Sequence, residues 1–437
     1  MSVLLLQGDA VVARKAGREI AASAFAADVA ALAARLPANG RPLNLCRDRY
    51  RFFVGLAASA VNKVPCILPP SSAAHLIRDL LTDEPDAYLL SDGEVIEGIA
   101  TVMVDADGTS GSADLPSVDR QSIAAILYTS GSTGRPLPHP RSWNSLLESA
   151  HAVQRRFGLQ PGSTVIATVP HQHSYGLESS ILLPALHGGA IDTAHPFFPR
   201  DVRDRIAASP RPRWLVTTPI HLHALLAEAG ELPPLDGIVS ATAPLALELA
   251  TAAERRFGAV LYEIYGCSEA GQLATRTPTS SSRWSCLDGV TLRQEQGVTI
   301  AEGTFLDQPT RLADVLELDG PDHNKATKFE LRGRLQDLVN IGGRRSSIAY
   351  LTHHLTSIDG VVDGVFFSPG DDHDPAARLM AFVVAPSLSA GEILAALRLR
   401  IDPVFLPRPL HLVDALPRNA TGKIQREDLL ALAARVA

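Results

Sequence analysis

Ile126-Leu-Tyr-Thr-Ser-Gly-Ser-Thr-Gly-Arg-Pro136 is the stretch on which the fold turns. The apolar run Ile123–Tyr128 reads as a buried strand, and it empties into a loop of hydroxyl side chains and glycines. Gly131 and Gly134 let the backbone turn back and present N–H groups. Thr129, Ser130, Ser132 and Thr133 add hydroxyl donors, so the loop suits phosphate oxygens. No Gly-Lys-Ser/Thr follows the glycines, which excludes a Walker-type loop. Taken alone, a polar surface loop is the plain alternative.

Outward from this strand, further apolar β-rich runs alternate with helix-like segments: Thr164–Val169, Trp214–Thr217, Gly237–Ser240 and Val260–Ile264. Runs apolar over most of their length belong to strands covered on both faces, so an α/β layered body is expected. From Gln336 the pattern changes. A Gly/Arg-rich turn at Gly342–Arg345 precedes strand-like pieces at Val361–Phe367 and Leu379–Val384. A helix opens at Ser389 with Glu392 at capping-box spacing, and Pro403, Pro407 and Pro409 lead to a last strand and helix. The expected division is a large N-terminal domain over 1–335 and a small α+β domain over 336–437.

Composition bounds the function. With 437 residues, 46% hydrophobic and 20% charged, the chain has the make-up of a globular protein of more than one core. A net charge of −7 and the absence of a basic run give no support for a nucleic-acid surface. Four scattered cysteines (Cys46, Cys66, Cys267, Cys286) argue against a disulfide framework or a thiolate zinc site, and fit a reducing cytoplasm. The opening apolar run stops at Asp9, too short for a signal peptide. Ile20–Leu36 carries Asp28 and Arg35 and reads as an amphipathic helix, so no membrane insertion is expected.

Tyr128–Pro136 resembles the signature loop of the adenylate-forming enzymes, Tyr-Thr-Ser-Gly-Ser/Thr-Thr-Gly-x-Pro-Lys, shared by acyl-CoA synthetases, aryl-acid ligases, peptide-synthetase adenylation domains and luciferases. The match breaks at Leu137, where that family has lysine; Arg135, His139 or Arg141 are the candidates to replace its charge. Further segments resemble family motifs, in family order. Gln172-His-Ser-Tyr-Gly-Leu177 is similar to the acid-pocket segment, which implies that His173 and Tyr175 face the substrate, with Gly176, Ser240 and Gly271 nearby. A metal site on His171 and His173 is the alternative, and it lacks a third ligand. Ser240-Ala-Thr-Ala-Pro-Leu245 resembles the Gly-Gly-Ala-Pro-Leu turn beside adenine, assigning Thr242, Ala243 and Pro244 to the nucleotide. Ala241 and Thr242 replace its glycines.

Tyr265-Gly-Cys-Ser-Glu269 resembles Tyr-Gly-x-Thr-Glu. That implies Tyr265 stacked on adenine, Gly266 and Ser268 beside the nucleotide, and Glu269 as a hard oxygen ligand for Mg²⁺. A Gly-x-Ser-x-Gly nucleophile elbow is not satisfied here, because Ala270 follows Glu269, so Cys267 reads as a pocket wall. Asp314 matches the aspartate that accepts both ribose hydroxyls, and Gly333-Arg334 begins the hinge, with Gln336 where the family has Asp or Lys. Gly343 and Arg345 fall in the loop that serves thiol transfer, and Leu416–Arg426 resembles the C-terminal motif that makes Lys423 the catalytic lysine.

The resemblance implies ATP-dependent activation of a carboxylic acid as its acyl-AMP, with Lys423 bridging carboxylate and α-phosphate. Transfer would follow to coenzyme A or to the phosphopantetheine of an acyl carrier protein, after the small mobile domain rotates. Gln172–Glu178 and Asp402–Arg408 resemble short ligases of bacterial aryl-polyene and xanthomonadin-type pigment pathways, which implies a 3- or 4-hydroxybenzoate-like acid. Aliphatic or hydroxy-acyl acids remain open. Leu137 and Gln336 also leave open a non-catalytic acyl- or nucleotide-binding protein.

Overall fold

The computed structural model describes residues 2–6, 8, 10–93, 95–108, 111, 113–130, 136–228, 230–320, 325–334, 338–341, 344–369, 379–419, 422 and 424–436. Two large sheets carry the body. The first has six strands, in the order Pro136–Ser142, Ile123–Ser130, Cys66–Leu68, Pro42–Asn44, Tyr88–Ser91 and Thr101–Met103. The second has eleven, and its centre is a parallel block of Val11–Lys15, Ala190–Asp192, Thr164–Ala167, Arg213–Thr217, Gly237–Ser240 and Leu261–Cys267. As the continuous apolar runs required, Thr164–Ala167, Arg213–Thr217 and Gly237–Ser240 are buried at every residue. The last strand of the block starts one residue later than expected and runs on to Cys267, because Gly271–Arg276 pairs back onto it as a hairpin.

Local chemistry sets the helix ends. The side chains of Asp48 and Ser142 accept backbone N–H groups at the starts of Arg49–Val61 and Trp143–Phe157. The tetrapeptide Arg-Arg-Phe-Gly occurs twice, at 155–158 and 255–258, and each copy ends a helix. Gly158 and Gly258 take φ of +67° and +66°, and the two arginines lie in the last turn, where cations favour the dipole. The expected helix over Ile20–Leu36 is Ala22–Ala33.

Residues beyond Ile341 pack among themselves. Leu351, Leu355, Phe366, Val383, Ile393 and Leu397 are buried in one cluster under a three-stranded sheet of Asp363–Phe367, Met380–Val384 and Leu410–Leu412. The capping box is present: Ser389 N donates to Glu392 Oε2 at 2.9 Å, and Glu392 N donates to Ser389 Oγ at 3.3 Å. Of the turn expected over Gly342–Arg345, Arg344 and Arg345 belong instead to the strand Arg344–Ser347, paired antiparallel with Leu338–Ile341; residues 342–343 lie outside the described residues. Among the described residues no helix is long and apolar enough to cross a membrane.

Candidate active site

In open parallel sheets ligands bind outside the carboxyl ends of the strands. Three motifs of the large sheet fall there. His171–Gly176 follows Thr164–Ala167, Ser240–Leu245 follows Gly237–Ser240, and Tyr265–Glu269 closes Leu261–Cys267. The hydroxyl-rich loop leaves the end of Ile123–Ser130 in the smaller sheet. Residues 131–135, with Gly131, Ser132, Thr133, Gly134 and Arg135, lie outside the described residues, as does the side chain of Ser130.

The return strand Pro136–Ser142 explains how the two sheets meet. It pairs antiparallel with Ile123–Ser130 and is the edge of its sheet. Prolines at 136, 138 and 140 cannot donate to a ladder, and an edge strand tolerates them where their nitrogens face outward. Leu137, His139 and Arg141 therefore alternate onto one face. Leu137, at the lost lysine, is half exposed. His139 Nε2 lies 3.0 Å from Thr129 Oγ1 and 3.8 Å from Glu269 Oε1, joining the phosphate strand to the far hairpin. Arg141 does not meet the expectation that it replaces the lysine. Its side chain is 1% exposed and turned inward onto Ser145 and Glu178, so it reaches no phosphate.

The hairpin Leu261–Cys267 to Gly271–Arg276 presents Glu269 at its tip, with the side chain 46% exposed. A Cβ at Gly266 would lie 2.1 Å from the Gly271 carbonyl, so only glycine permits this bulge. Burial, reinforced by Glu269, pushes the Cys267 thiol up to about 12, which removes it as a nucleophile at neutral pH. Among the described residues no group of three or more His, Cys, Asp or Glu is placed to hold a metal. A single open carboxylate beside hydroxyls is the donor set that suits Mg²⁺ carried in with phosphates. The His171–His173 metal alternative falls: His171 is 3% exposed, and its Nε2 donates to the Cys46 carbonyl at 2.8 Å.

On the nucleotide side, Tyr265 hydroxyl donates to Asp314 Oδ2 at 2.8 Å, although their strands are far apart in the sheet. The Tyr265 ring is buried edge-on against Trp284 and Phe329, which holds its hydroxyl in place beside Asp314. Asp314 pairs with Arg334 across the last two strands, bringing together in the backbone the two residues expected near the ribose; the Arg334 side chain is outside the described residues. Thr242 has φ +81°, in the left-handed region that favours glycine. A β-branched residue there is strained by roughly 1–3 kcal/mol. Thr242→Gly is expected to raise the unfolding free energy by about 1 kcal/mol, after the greater freedom of glycine in the unfolded chain is offset. A denaturant midpoint that falls would contradict this.

The acid side departs most from expectation. His173 precedes the short helical turn Ser174–Gly176 and is partly exposed. Tyr175 does not offer its tip to a substrate. Its hydroxyl is shared between the carbonyls of Thr217 and Val239, each at 3.0 Å, where strand ends leave acceptors unpaired. Gly176 and Gly271 do not line open space either. A Cβ on Gly176 would lie 2.0 Å from the Pro170 carbonyl, and one on Gly271 would lie 2.5 Å from both terminal nitrogens of Arg141. Ser240 is buried, and its hydroxyl has no hydrogen-bond partner among the described residues. Beneath the strand ends, Arg49 is fully buried and donates to the carbonyls of Ala167, Val169 and Ala194. Burial holds its guanidinium down to about 10 and the nearby His195 down to about 4.

This geometry has counterparts. The AMP-binding enzyme family matches residues 57–301, more than half of the chain. The chain belongs to the AMP-binding enzyme family. It is 30% identical over 328 residues to a 4-coumarate–CoA ligase of Rhodobacter capsulatus, covering 72% of this chain and 78% of that protein. It is 27% identical over 404 residues to the 3-hydroxybenzoate–CoA/4-hydroxybenzoate–CoA ligase of Thauera aromatica, covering 80% and 75%. ATP-bound MatB of Rhodopseudomonas palustris superposes with a TM-score of 0.82 over 98% of this chain and 96% of that one, at 19% identity.

Within this AMP-binding enzyme, Lys423, Gln336 and Gly343 lie outside the described residues, as does the Arg345 side chain. Beside Lys423, however, Gly422 is described. A Cβ on it would lie 3.5 Å from Ile220 Cγ2, in the helix that follows Arg213–Thr217. Sequence motifs missed Glu178, Asp307 and the Tyr265–Asp314 bond. Only the alternating prolines carried a signal, since they fix which face His139 and Arg141 share.

Proposed function

We propose that this AMP-binding enzyme activates a carboxylic acid with ATP and passes the acyl group to a thiol. The observation that carries the reading is the junction of Thr129, His139 and Glu269, which sets a phosphate strand against an open carboxylate at the ends of parallel strands. One carboxylate oxygen attacks the α-phosphorus, the bond to pyrophosphate breaks, and a mixed acyl-AMP anhydride remains. Both reactants are anionic, so the protein's task is alignment and charge stabilisation. Glu269 would hold Mg²⁺ together with the phosphates, and the ion would supply charge neutralisation there. Thr129 and the following loop hold the phosphates, Asp314 takes the ribose, and Lys423 bridges the reacting groups. A thiol then attacks the acyl carbon, AMP leaves, and the thiol proton is released. The residues after 336 would act as a domain that moves between the two steps.

The acceptor class is coenzyme A or a carrier-bound phosphopantetheine, and the relatives named as CoA ligases support the first. For the acid, an aryl acid of hydroxybenzoate type is the reading supported by the Thauera relative. His173, partly exposed just before Ser174–Gly176, is a polar side chain that suits a phenolic hydroxyl. ATP–pyrophosphate exchange over benzoates, cinnamates and fatty acids tests the acid, and thioester formation with coenzyme A against a phosphopantetheine-bearing carrier protein tests the acceptor. Exchange confined to fatty acids would overturn the aryl reading, and no exchange with any acid would leave a binding protein.

His139 is the residue we assign to the lost lysine's place. His139→Ala is expected to weaken ATP binding roughly tenfold while leaving AMP binding unchanged, because AMP lacks the β- and γ-phosphates. Calorimetric titration with each nucleotide checks this, and equal losses for both would refute it.

A further inference from the structure

Arg141 is a buried cation where three signature segments cross. Its Nη2 donates to Ser145 Oγ at 2.7 Å and its Nε to the same atom at 3.2 Å. Nη1 donates to Glu178 Oε1 at 3.5 Å, and Nε lies 3.9 Å from Asp307 Oδ2. Glu178 is also buried and accepts from Ser149 and Ser174 hydroxyls, each at 2.7 Å. Gly271, at φ +77°, lies against the guanidinium so closely that a methyl group would displace it. Arg141 thus belongs to the phosphate hairpin, Glu178 follows the acid-pocket segment, and Gly271 follows Glu269 by two residues.

A buried ion pair is a weak source of stability, because desolvation of both charges offsets their attraction. Its lasting effect is geometric: a planar guanidinium fixes directions that apolar packing leaves free. We propose that Arg141 is a positioning residue that registers the phosphate hairpin against the acid-pocket segment. Alignment of the attacking carboxylate with the α-phosphorus then depends on Arg141, although it touches neither substrate. This rests on the proposed acid activation.

The test uses Arg141→Lys, which keeps the charge and loses the fork, and Glu178→Gln, which keeps the shape and loses the charge. Each is assayed for pyrophosphate exchange, and AMP binding stoichiometry is measured by calorimetry. The expected result is at least a tenfold fall in kcat for each, with one AMP site per chain retained and the KM for ATP within about threefold, as misplacement of reacting groups predicts. The double variant should lose little more than the worse single one, because both act through one contact. A fall in activity that only matches a fall in AMP-binding stoichiometry would show a folding defect and overturn the proposal. So would wild-type kcat in both variants. Failure of the wild-type protein to exchange with any acid, with AMP still bound, would instead remove the functional reading on which the proposal stands.

Discussion

Lys423→Ala is expected to lower acyl-adenylate formation by roughly a hundredfold or more. A preorganised donor aimed at charge that develops in the transition state is typically worth about 2.7–4 kcal/mol. Lys423 would meet the carboxylate and the α-phosphate only as they approach, so its loss should appear in kcat more than in nucleotide affinity. The neighbouring Gly422 lies against Ile220, at the face where the parallel strands end, which is the side this role requires. The second half-reaction should be spared: acyl-AMP supplied directly should still pass its acyl group to a thiol at a near-normal rate. Near-normal pyrophosphate exchange in the variant would refute the assignment.

Gly176→Ala is expected to destabilise the protein by about 3 kcal/mol or more and to abolish acid activation with it. The added Cβ would lie 2.0 Å from the Pro170 carbonyl, 2.7 Å from its carbon and 3.0 Å from the His171 Cα. All three atoms are backbone, so relief requires the chain between strand and helix to move. His173 and Tyr175 lie within that chain, which is why activity should fall further than stability. Gly158→Ala is the matched control. It adds a methyl group at φ +67° with nothing within 4 Å, so it should cost only about 1 kcal/mol of left-handed strain. Denaturant unfolding of the two variants separates steric conflict from backbone strain; equal costs would refute the crowding argument.

The positions of the motifs along the chain were legible because each carries its own local chemistry. Gly and hydroxyl residues follow a buried strand at Tyr128, a carboxylate tips a hairpin at Glu269, and Ser389 with Glu392 opens a helix. Continuous apolar runs placed the central strands for the same reason, since covered strands need no polar face. What the sequence could not carry was the use of atoms whose partners lie far along the chain. Tyr175 looked like a substrate contact, yet its hydroxyl is taken by carbonyls 42 and 64 residues away. Arg141 looked like a substitute for the missing lysine, and its guanidinium turned inward to Glu178, 37 residues on. Thr242 looked like a departure from a glycine turn, and it takes a left-handed backbone conformation that strains a β-branched residue.

The sequence by itself determined the layered α/β body, which follows from residue type and local periodicity, and pointed to the family through the resemblance of its motifs and their order. Only the tertiary structure decided which polar side chains remain for substrate and which are spent inside the protein. Burial makes every unpaired donor and acceptor costly, so the strand ends and the two sheets took their partners first. Glu269 kept an open carboxylate, His139 came to stand beside it, and Tyr175 and Arg141 were drawn inward.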